Sequence, residues 1–399
     1  MSGSVTAGRR RITVEDMWRT NSLRVAVVGA GIGGLAAAAG LQRAGAEVIV
    51  LEQAARFLPR GSGLSLFDNG FTALRSLGLE ERVRAVTADG PPEIPVGTRT
   101  VDGTRVSTFR PETAAGLRVI DRTELHQALL GALVPDTVRP GIRVEGVNRD
   151  TVDLGPSGLL SYAHVIVGAD GIRSRVRGSY AGDPGAAYCG YGAWRGITAA
   201  PVALEDAGET FGRGERFGYV PLRDGRVYWF AVRPSTADDE PEPGELLERF
   251  GQWHDPIPEL ITATETKRIG YQPIERLARP LRTFSRGQAA LVGDAAHAMP
   301  PTLGQGANLA LEDAAVLVSV LRPLATDPDP RAVPAALTSY DKQRRRRTQR
   351  IARQAHLLGA AGQWPNPLVA FGRDLAFRFA PDGLMDWGMR RVQQWTPPT

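Results

Sequence analysis

The pattern of apolar and polar positions changes character several times along this chain. From Leu23 to Gly29 the run LRVAVVG is a β-branched apolar block, the pattern of a strand buried on both faces. A glycine-rich turn follows, then the alanine-rich, helix-favouring segment Leu35 to Ala44, which Gly45 closes. EVIVLE (Glu47 to Glu52) is the next strand, so the pattern predicts a βαβ unit. HVIVGAD (His164 to Asp170) and AALVGD (Ala289 to Asp294) repeat the buried-strand pattern and finish with glycine and aspartate. Between them, within Gly190 to Gly270, RFGYVPL and RVYWFAV alternate and are joined by the turn residues Arg223, Asp224 and Gly225, which predicts an antiparallel sheet. After Gly306 the period becomes helical (ANLALEDAAVLVSVLRPL), and a Pro/Asp-rich linker at Asp327 to Pro334 leads into a mostly helical tail.

The turn inside the βαβ unit carries the first candidate chemistry. Gly29, Gly31 and Gly34 form G-x-G-x-x-G, with Gly33 inside the motif. The first glycine permits the tight turn, the second lets a pyrophosphate approach the backbone, and the third allows helix and strand to pack closely. The helix start then offers free N–H groups and a positive dipole end to phosphates. Glu52 ends the second strand, where an acid accepts hydrogen bonds from an adenosine ribose. By itself the unit suits NAD or FAD. VGADGIRSRVR puts Asp170 at a strand end, and LVGDAAHAMPPTLGQGANLALEDA puts Asp294 at another, before a Pro/Gly loop and a helix. The second arrangement suits a flavin: Asp294 can accept from ribityl hydroxyls, and Gly304, Gln305 and Gly306 place bare N–H groups where anionic reduced flavin needs them.

Bulk properties narrow the classes. The 399 residues, 42% hydrophobic and 23% charged, suffice for two or three domains around a large core. Nothing reaches the roughly 18 apolar residues of a membrane span, and MSGSVTAGRRRITVEDMWRTNS lacks a secretion signal's apolar block, so a cytoplasmic address without a membrane partner is expected. Cys189 is the only cysteine, which excludes an internal disulfide and a thiolate metal site. His126, His164, His254, His297 and His356 are too scattered to clamp a metal. The net charge of +5 rests on arginine, since Lys267 and Lys342 are the only lysines. The run Arg344 to Arg347 has no interleaved aromatics and reads as a solvated helix face, so no nucleic-acid partner is expected.

With GAGIGG (Gly29 to Gly34), GADGIRSRVR (Gly168 to Arg177) and GDAAHAMPPTLGQG (Gly293 to Gly306) in this order, the chain resembles the class A flavoprotein monooxygenases, the para-hydroxybenzoate hydroxylase-like family, over about residues 23 to 350. The resemblance implies an α/β fold: a Rossmann-like FAD-binding domain with a parallel sheet (22–80, 111–178 and 276–325), an antiparallel-sheet substrate domain (81–110 and 179–275) and a C-terminal helical region (326–399), after a flexible extension (1–21). It implies that Gly29, Gly31, Gly33, Gly34 and Glu52 hold the AMP half of FAD, that Arg122 of VIDRTEL reaches the adenine and pyrophosphate region, and that Asp170 lies near the cofactor's middle. Asp294 would bind the ribityl chain or pyrophosphate, Gly304, Gly306, Ala307 and Asn308 would line the isoalloxazine ring, and Pro301 would sit near flavin C4a.

The implied reaction has NADPH or NADH reduce FAD, after which O₂ adds at C4a to give a hydroperoxide that hydroxylates a small aromatic or polycyclic substrate. Gly61 and Gly63 are candidates for letting the ring move. Phe217 and Tyr219 share one strand face, and GAWRG offers Trp194 and Arg195, so these residues are expected to wall the substrate pocket. Arg195 would pair with an anionic or strongly polar substrate, and Tyr219 would assist deprotonation of a phenol. The GAWRG and GQG segments are most similar to compact urate, salicylate and hydroxybenzoate hydroxylases, although Thr302 stands where the urate type has an acid. His297 reads as a loop residue bonded to backbone and stays outside the catalytic set. Epoxidation or dehydrogenation on the same scaffold, a flavin-binding regulator without turnover, and an NAD-dependent dehydrogenase remain alternatives, and the assembly is read as a monomer or homodimer.

Overall fold

Arg24–Val28 forms a strand because its β-branched side chains are wanted on both faces: Val25, Ala26 and Val27 are fully buried. The computed structural model describes residues 18, 21–57, 62–89, 93–109, 116–160, 162–180, 182–363, 372, 388 and 390–398. Apart from Trp18 and Asn21, the expected N-terminal extension lies outside them.

The first sheet has the spatial order Ser285–Arg286, Ala289–Leu291, Val165–Gly168, Arg24–Val28, Glu47–Glu52, Val138–Pro140, and every pairing except that of its first two strands is parallel. The predicted parallel sheet is therefore present, and its glycine and aspartate strand ends share one edge. The helices Ile32–Arg43 and Gly306–Leu321 pack beside it at close range. A Cβ on Gly33 would lie 3.1 Å from the Ala310 Cβ, and one on Gly40 would lie 2.8 Å from the Val318 side chain.

The second sheet has seven strands in the order Gly270–Leu277, Ala186–Ile197, Val227–Pro234, Arg216–Pro221, Ala207–Phe211, Val96–Thr100, Arg105–Thr108. It is antiparallel except where Ala207–Phe211 runs parallel to Val96–Thr100. The period of two sorts its side chains into faces. Trp194, Phe217, Tyr219 and Trp229 point to the back, where the helices Glu245–Phe250 and Ile257–Thr262 cover them with Leu246, Phe250, Ile257 and Leu260. The opposite face carries Tyr191, Ala193 and Arg195, and it meets the first domain: a Cβ on Gly63 would fall 2.5 Å from the Tyr228 ring, and one on Gly359 would fall 2.7 Å from the Tyr191 hydroxyl and 2.8 Å from the Thr302 hydroxyl.

The helix Gly306–Leu321 joins these parts through two carboxylates in its apolar middle. Glu312 and Asp313 are fully buried, and so is Arg344 at 1% exposure on the long helix Val333–Gly362. Arg344 donates from Nε to Asp313 (2.7 Å) and from Nη1 to Glu312 (2.6 Å), and Arg347 donates to Glu312 from two nitrogens at 2.8 Å. This corrects the reading of Arg344 to Arg347 as a solvated face, because the buried acids recruit two of those arginines inward. His297 is corrected as well: its Nε2 lies 2.6 Å from Asp313 Oδ2, which also accepts the Gly293 N–H at 2.9 Å. Asn69 donates to Glu312 (2.6 Å) and to Gln305 (2.9 Å), tying in the helix Asp68–Leu77.

Burial works against the Asp313 carboxylate, yet His297 and Arg344 hold its pKa below the ordinary value. Its contribution to stability is therefore complete above about pH 4, the unfolded value for aspartate, and fades as pH falls further. Arg344 is the cation the two buried anions share, and removing it leaves Glu312 to Arg347 and Asp313 to His297 alone, so Arg344→Ala should lose about 3 to 5 kcal/mol of stability in urea unfolding at neutral pH. A loss below about 1 kcal/mol would show that water or another cation neutralises the acids.

Candidate functional site

The three motif glycines divide by function. Gly29 has φ +102°, and a Cβ there would sit 2.4 Å from the Ala169 carbonyl oxygen; on Gly34 it would sit 2.2 Å from the Gly29 carbonyl oxygen. Both are glycine because backbone packs against backbone. A Cβ on Gly31 meets nothing within 4 Å, so the space over this glycine is open. Gly31 is also the N-cap of Ile32–Arg43, and no side chain caps that helix, which leaves its first N–H groups facing the same opening. Glu52 accepts from the Ala30 N–H (2.9 Å) and the Ala54 N–H (2.7 Å), which holds its carboxylate at the strand end beside the glycine loop.

At the opposite end of the site, Gly304 is left-handed (φ +61°) and Gly306 opens the helix Gly306–Leu321, again with no side-chain cap. A Cβ on Gly306 would meet nothing within 4 Å. The amide side chain of Asn308 is already engaged: Oδ1 accepts the Phe67 N–H at 3.0 Å, and Nδ2 donates to the Ser65 and Gly304 carbonyls at 2.9 Å. Only its backbone N–H, with those of Gly306 and Ala307 in the first turn, is left for a ligand. Pro301 and Asp294 are exposed at the starts of their short helical turns, Pro301–Leu303 and Asp294–His297.

Asp170 departs from the simplest expectation. Its Oδ2 accepts from the Arg175 (2.7 Å) and Val176 (3.1 Å) N–H groups and so caps the helix Arg175–Tyr180. Its Oδ1 is buried without a partner, and burial pushes the carboxyl pKa up. One carboxylate oxygen is structural and the other is left for a polar ligand. Arg122 begins the helix Arg122–Leu130, and its N–H donates to the Ser62 carbonyl at 2.9 Å, beside the strand Gly63–Leu66. Gly61 lies outside the described residues. An open glycine between two packed ones, two uncapped helix starts and a half-satisfied buried carboxylate together fit an extended dinucleotide whose diphosphate meets one helix and whose ring meets another.

The substrate residues need one correction. Tyr219 is 2% exposed on the back of the antiparallel sheet, where its hydroxyl donates to Asp206 at 2.7 Å. Burial pushes its phenol up, with Arg99 and Arg105 pulling the other way. It faces away from the domain junction, as do Trp194 and Phe217, and cannot deprotonate a substrate there. Strand period put Phe217 and Tyr219 on one face, but only the helices that cover it decide which face is core.

Arg195 lies on the front face and reaches Gln272 at 3.1 Å. Sequence reasoning missed its companions Glu209, Arg216, Tyr228 and Phe230. Registers align Arg195 with Phe230, Phe230 with Gly218, and Gly218 with Glu209, so the four form one row across the strands. The Phe230 ring lies over Gly218, where a Cβ would come 2.3 Å from it. Arg216 sits 5.8 Å over the same ring and donates to Glu209 Oε2 at 3.2 Å. Tyr228, next to Phe230 with ring centroids 6.2 Å apart, has its phenol pushed up by burial, against the pull of Arg195. A signal was available: an alternating strand with glycine opposite an aromatic ring leaves a flat trough.

The fold and site define an FAD-binding α/β protein with a front-facing aromatic trough. A sequence profile described as an FAD binding domain matches residues 22–355. The chain is 35% identical over 391 residues to the aurachin C monooxygenase/isomerase of Stigmatella aurantiaca, covering 94% of this chain and 99% of that protein. It is 33% identical over 392 residues to the 2-heptyl-3-hydroxy-4(1H)-quinolone synthase of Pseudomonas aeruginosa, covering 93% and 97%. The structure of Klebsiella pneumoniae HpxO with FAD and uric acid superposes with a TM-score of 0.82 at 25% identity, covering 95% of this chain and 98% of that one. The chain belongs to this FAD-binding family, and it is an FAD-dependent monooxygenase that uses reduced nicotinamide and O₂ to hydroxylate an aromatic substrate. Among the described residues no helix is long and apolar enough to cross a membrane, and no group of His, Cys, Asp and Glu could hold a metal.

Gly31→Ala should fold normally, because its φ of −74° suits any residue, yet bind FAD at least tenfold more weakly, about 1.4 kcal/mol. The ratio of flavin to protein absorbance, read beside circular dichroism, checks this; full flavin content would show that no phosphate approaches there. Tyr219→Phe should keep flavin content and turnover within twofold while losing about 1 to 3 kcal/mol of stability, because Asp206 loses a buried donor. A large fall in turnover at unchanged stability would return Tyr219 to the catalytic site.

Proposed function

We propose that the substrate is a neutral, planar, fused nitrogen heterocycle with a ring carbonyl, of the 4-quinolone kind, hydroxylated on a ring carbon. The row Arg195, Phe230, Gly218, Glu209 carries this reading: a donor at one end, an aromatic ring laid over a glycine in the middle, and an acceptor at the other end. Phe230 stacks on a flat ring, and Arg195 donates to its carbonyl. Glu209 repels a carboxylate and already occupies Arg216, which argues against the benzoate-type anion that Arg195 alone suggests. The full-length relatives named for aurachin C and a 3-hydroxy-4(1H)-quinolone support the same substrate class.

Bound FAD supplies the transfer of electrons from NAD(P)H and the activation of O₂. In this reading Gly29, Gly31, Gly33, Gly34 and Glu52 hold its AMP half, with Arg122 nearby and Asp170 Oδ1 and Asp294 along its middle. The N–H groups of Gly306, Ala307 and Asn308 stabilise negative charge on the reduced ring. Gly304 keeps the loop beside Ser65 and Phe67, and Pro301 closes the ring's edge. Tyr228 and Phe230 exclude water from the face where oxygen is delivered. The parallel-sheet part is the cofactor domain and the seven-stranded sheet the substrate domain. We place the reaction in the cytoplasm, where reduced nicotinamide is made.

The test is substrate-stimulated NAD(P)H oxidation by the purified holoenzyme with 2-alkyl-4(1H)-quinolones, urate and salicylate, run under ¹⁸O₂. We expect quinolones to stimulate at least tenfold more than either acid, with one ¹⁸O atom in the product. Stimulation by salicylate or urate alone would overturn the substrate class.

A further inference from the structure

We propose that Glu209 is a specificity-determining residue that accepts the ring N–H of the substrate and keeps carboxylate-bearing aromatics out of the site; this rests on the quinolone reading above. Glu209 lies on Ala207–Phe211, on the front face, with its side chain 32% exposed. Its Oε2 accepts from Arg216, and no hydrogen bond to Oε1 occurs among the described residues. Arg216 is itself nearly buried and fixed over the Phe230 ring, so the carboxylate is held at one orientation on the edge of that ring. Gly218 stands between Glu209 and Phe230 in the row, and its missing side chain lets the Phe230 ring lie down over it toward Glu209. Arg195 and Glu209 act in opposite directions on the buried Tyr228 phenol, Arg195 pulling its pKa down and Glu209 pushing it up.

A 4(1H)-quinolone carries its carbonyl and its N–H at opposite corners of one ring. With its carbonyl at Arg195 and its face on Phe230, its N–H points along the row to Glu209. A carboxylate accepting that N–H leaves more electron density on the nitrogen. The nitrogen passes it by conjugation to the carbon beside the carbonyl, the carbon that an electrophilic oxygen attacks. The same carboxylate repels an anion entering that end of the trough, and Arg216 cannot welcome the anion while Glu209 neutralises it. Glu209 thus selects substrate and favours attack at one ring carbon, without taking part in flavin chemistry.

The test compares the wild-type holoenzyme with Glu209→Gln and Glu209→Ala, each first shown to carry a full complement of FAD. One arm measures kcat/KM for a 2-alkyl-4(1H)-quinolone and for its 1-methyl analogue, which has no N–H. Wild type should prefer the N–H compound by at least tenfold, and Glu209→Ala should bring that ratio to within about threefold of unity. The second arm measures the Kd of salicylate from perturbation of the bound flavin spectrum, which needs no turnover. Glu209→Gln should bind salicylate at least tenfold more tightly than wild type. If wild type ignores both quinolones, the substrate class falls while the salicylate arm still decides for or against Glu209. An unchanged N–H preference in Glu209→Ala, or unchanged salicylate affinity in Glu209→Gln, overturns the role proposed for Glu209.

Discussion

Two carboxylates inside an apolar helix set the terms on which this molecule assembles. Glu312 and Asp313 have no access to water, and leaving them unpaired would cost a large share of the fold's net stability. Three segments meet them: the turn at residues 293–297 through the Gly293 N–H and His297, the helix Asp68–Leu77 through Asn69, and the long helix through Arg344 and Arg347. Desolvation offsets most of the attraction in such a network, so its value lies less in stability than in register. Hydrophobic packing would let the helix Gly306–Leu321 slide or rotate by small amounts. Charges with fixed hydrogen-bond directions do not allow that, and the uncapped helix start at Gly306 inherits the restriction.

The long helix serves both domains. Arg344 reaches inward to the acids, while Gly359 near the other end makes room for the Tyr191 and Thr302 hydroxyls. One rigid rod thereby touches the front of the substrate sheet, the loop after Pro301 and the buried network. The distance between the two sheets' facing surfaces is set by backbone packed closely at glycines, as at Gly63 against Tyr228, and such contacts tolerate little displacement.

Local signals made the cofactor half of the site legible. Strand, glycine motif, helix and acid occur in one short stretch, and each glycine's role follows from geometry that neighbouring residues impose. The substrate half depends on contacts distant in sequence. Alternation showed that Phe217 and Tyr219 share a face, but the two short helices that bury that face come later in the chain and carry no motif. Nothing near Asn308 in sequence announces that its side chain holds Ser65 and Phe67, which leaves only its backbone N–H for the expected place beside the flavin ring. The run Arg344 to Arg347 looked solvated because a helix pattern cannot see which arginine meets a buried acid. The sequence LALEDAAVL held the missing clue, since acids inside an apolar helix demand cations from elsewhere.

The same reasoning about buried charge bears on substrate choice. A pocket that binds carboxylates must keep a cation unpaired until the ligand arrives, and an unpaired cation close to an aromatic floor is costly to desolvate. Here Arg216, the most buried cation on the front face, is already matched by Glu209, and Arg195 at the rim shares its charge with the neutral Gln272. On the substrate reading proposed above, the trough calls not for an anion but for a flat ring on Phe230, with an acceptor for Arg195 at one end and a donor for Glu209 at the other. Aromatic acids lack the donor and carry the wrong charge. A polarised neutral heterocycle would supply both groups across a single ring, and on that reading the order of donor, ring and acceptor along one cross-strand row would set which of its carbons faces the incoming oxygen.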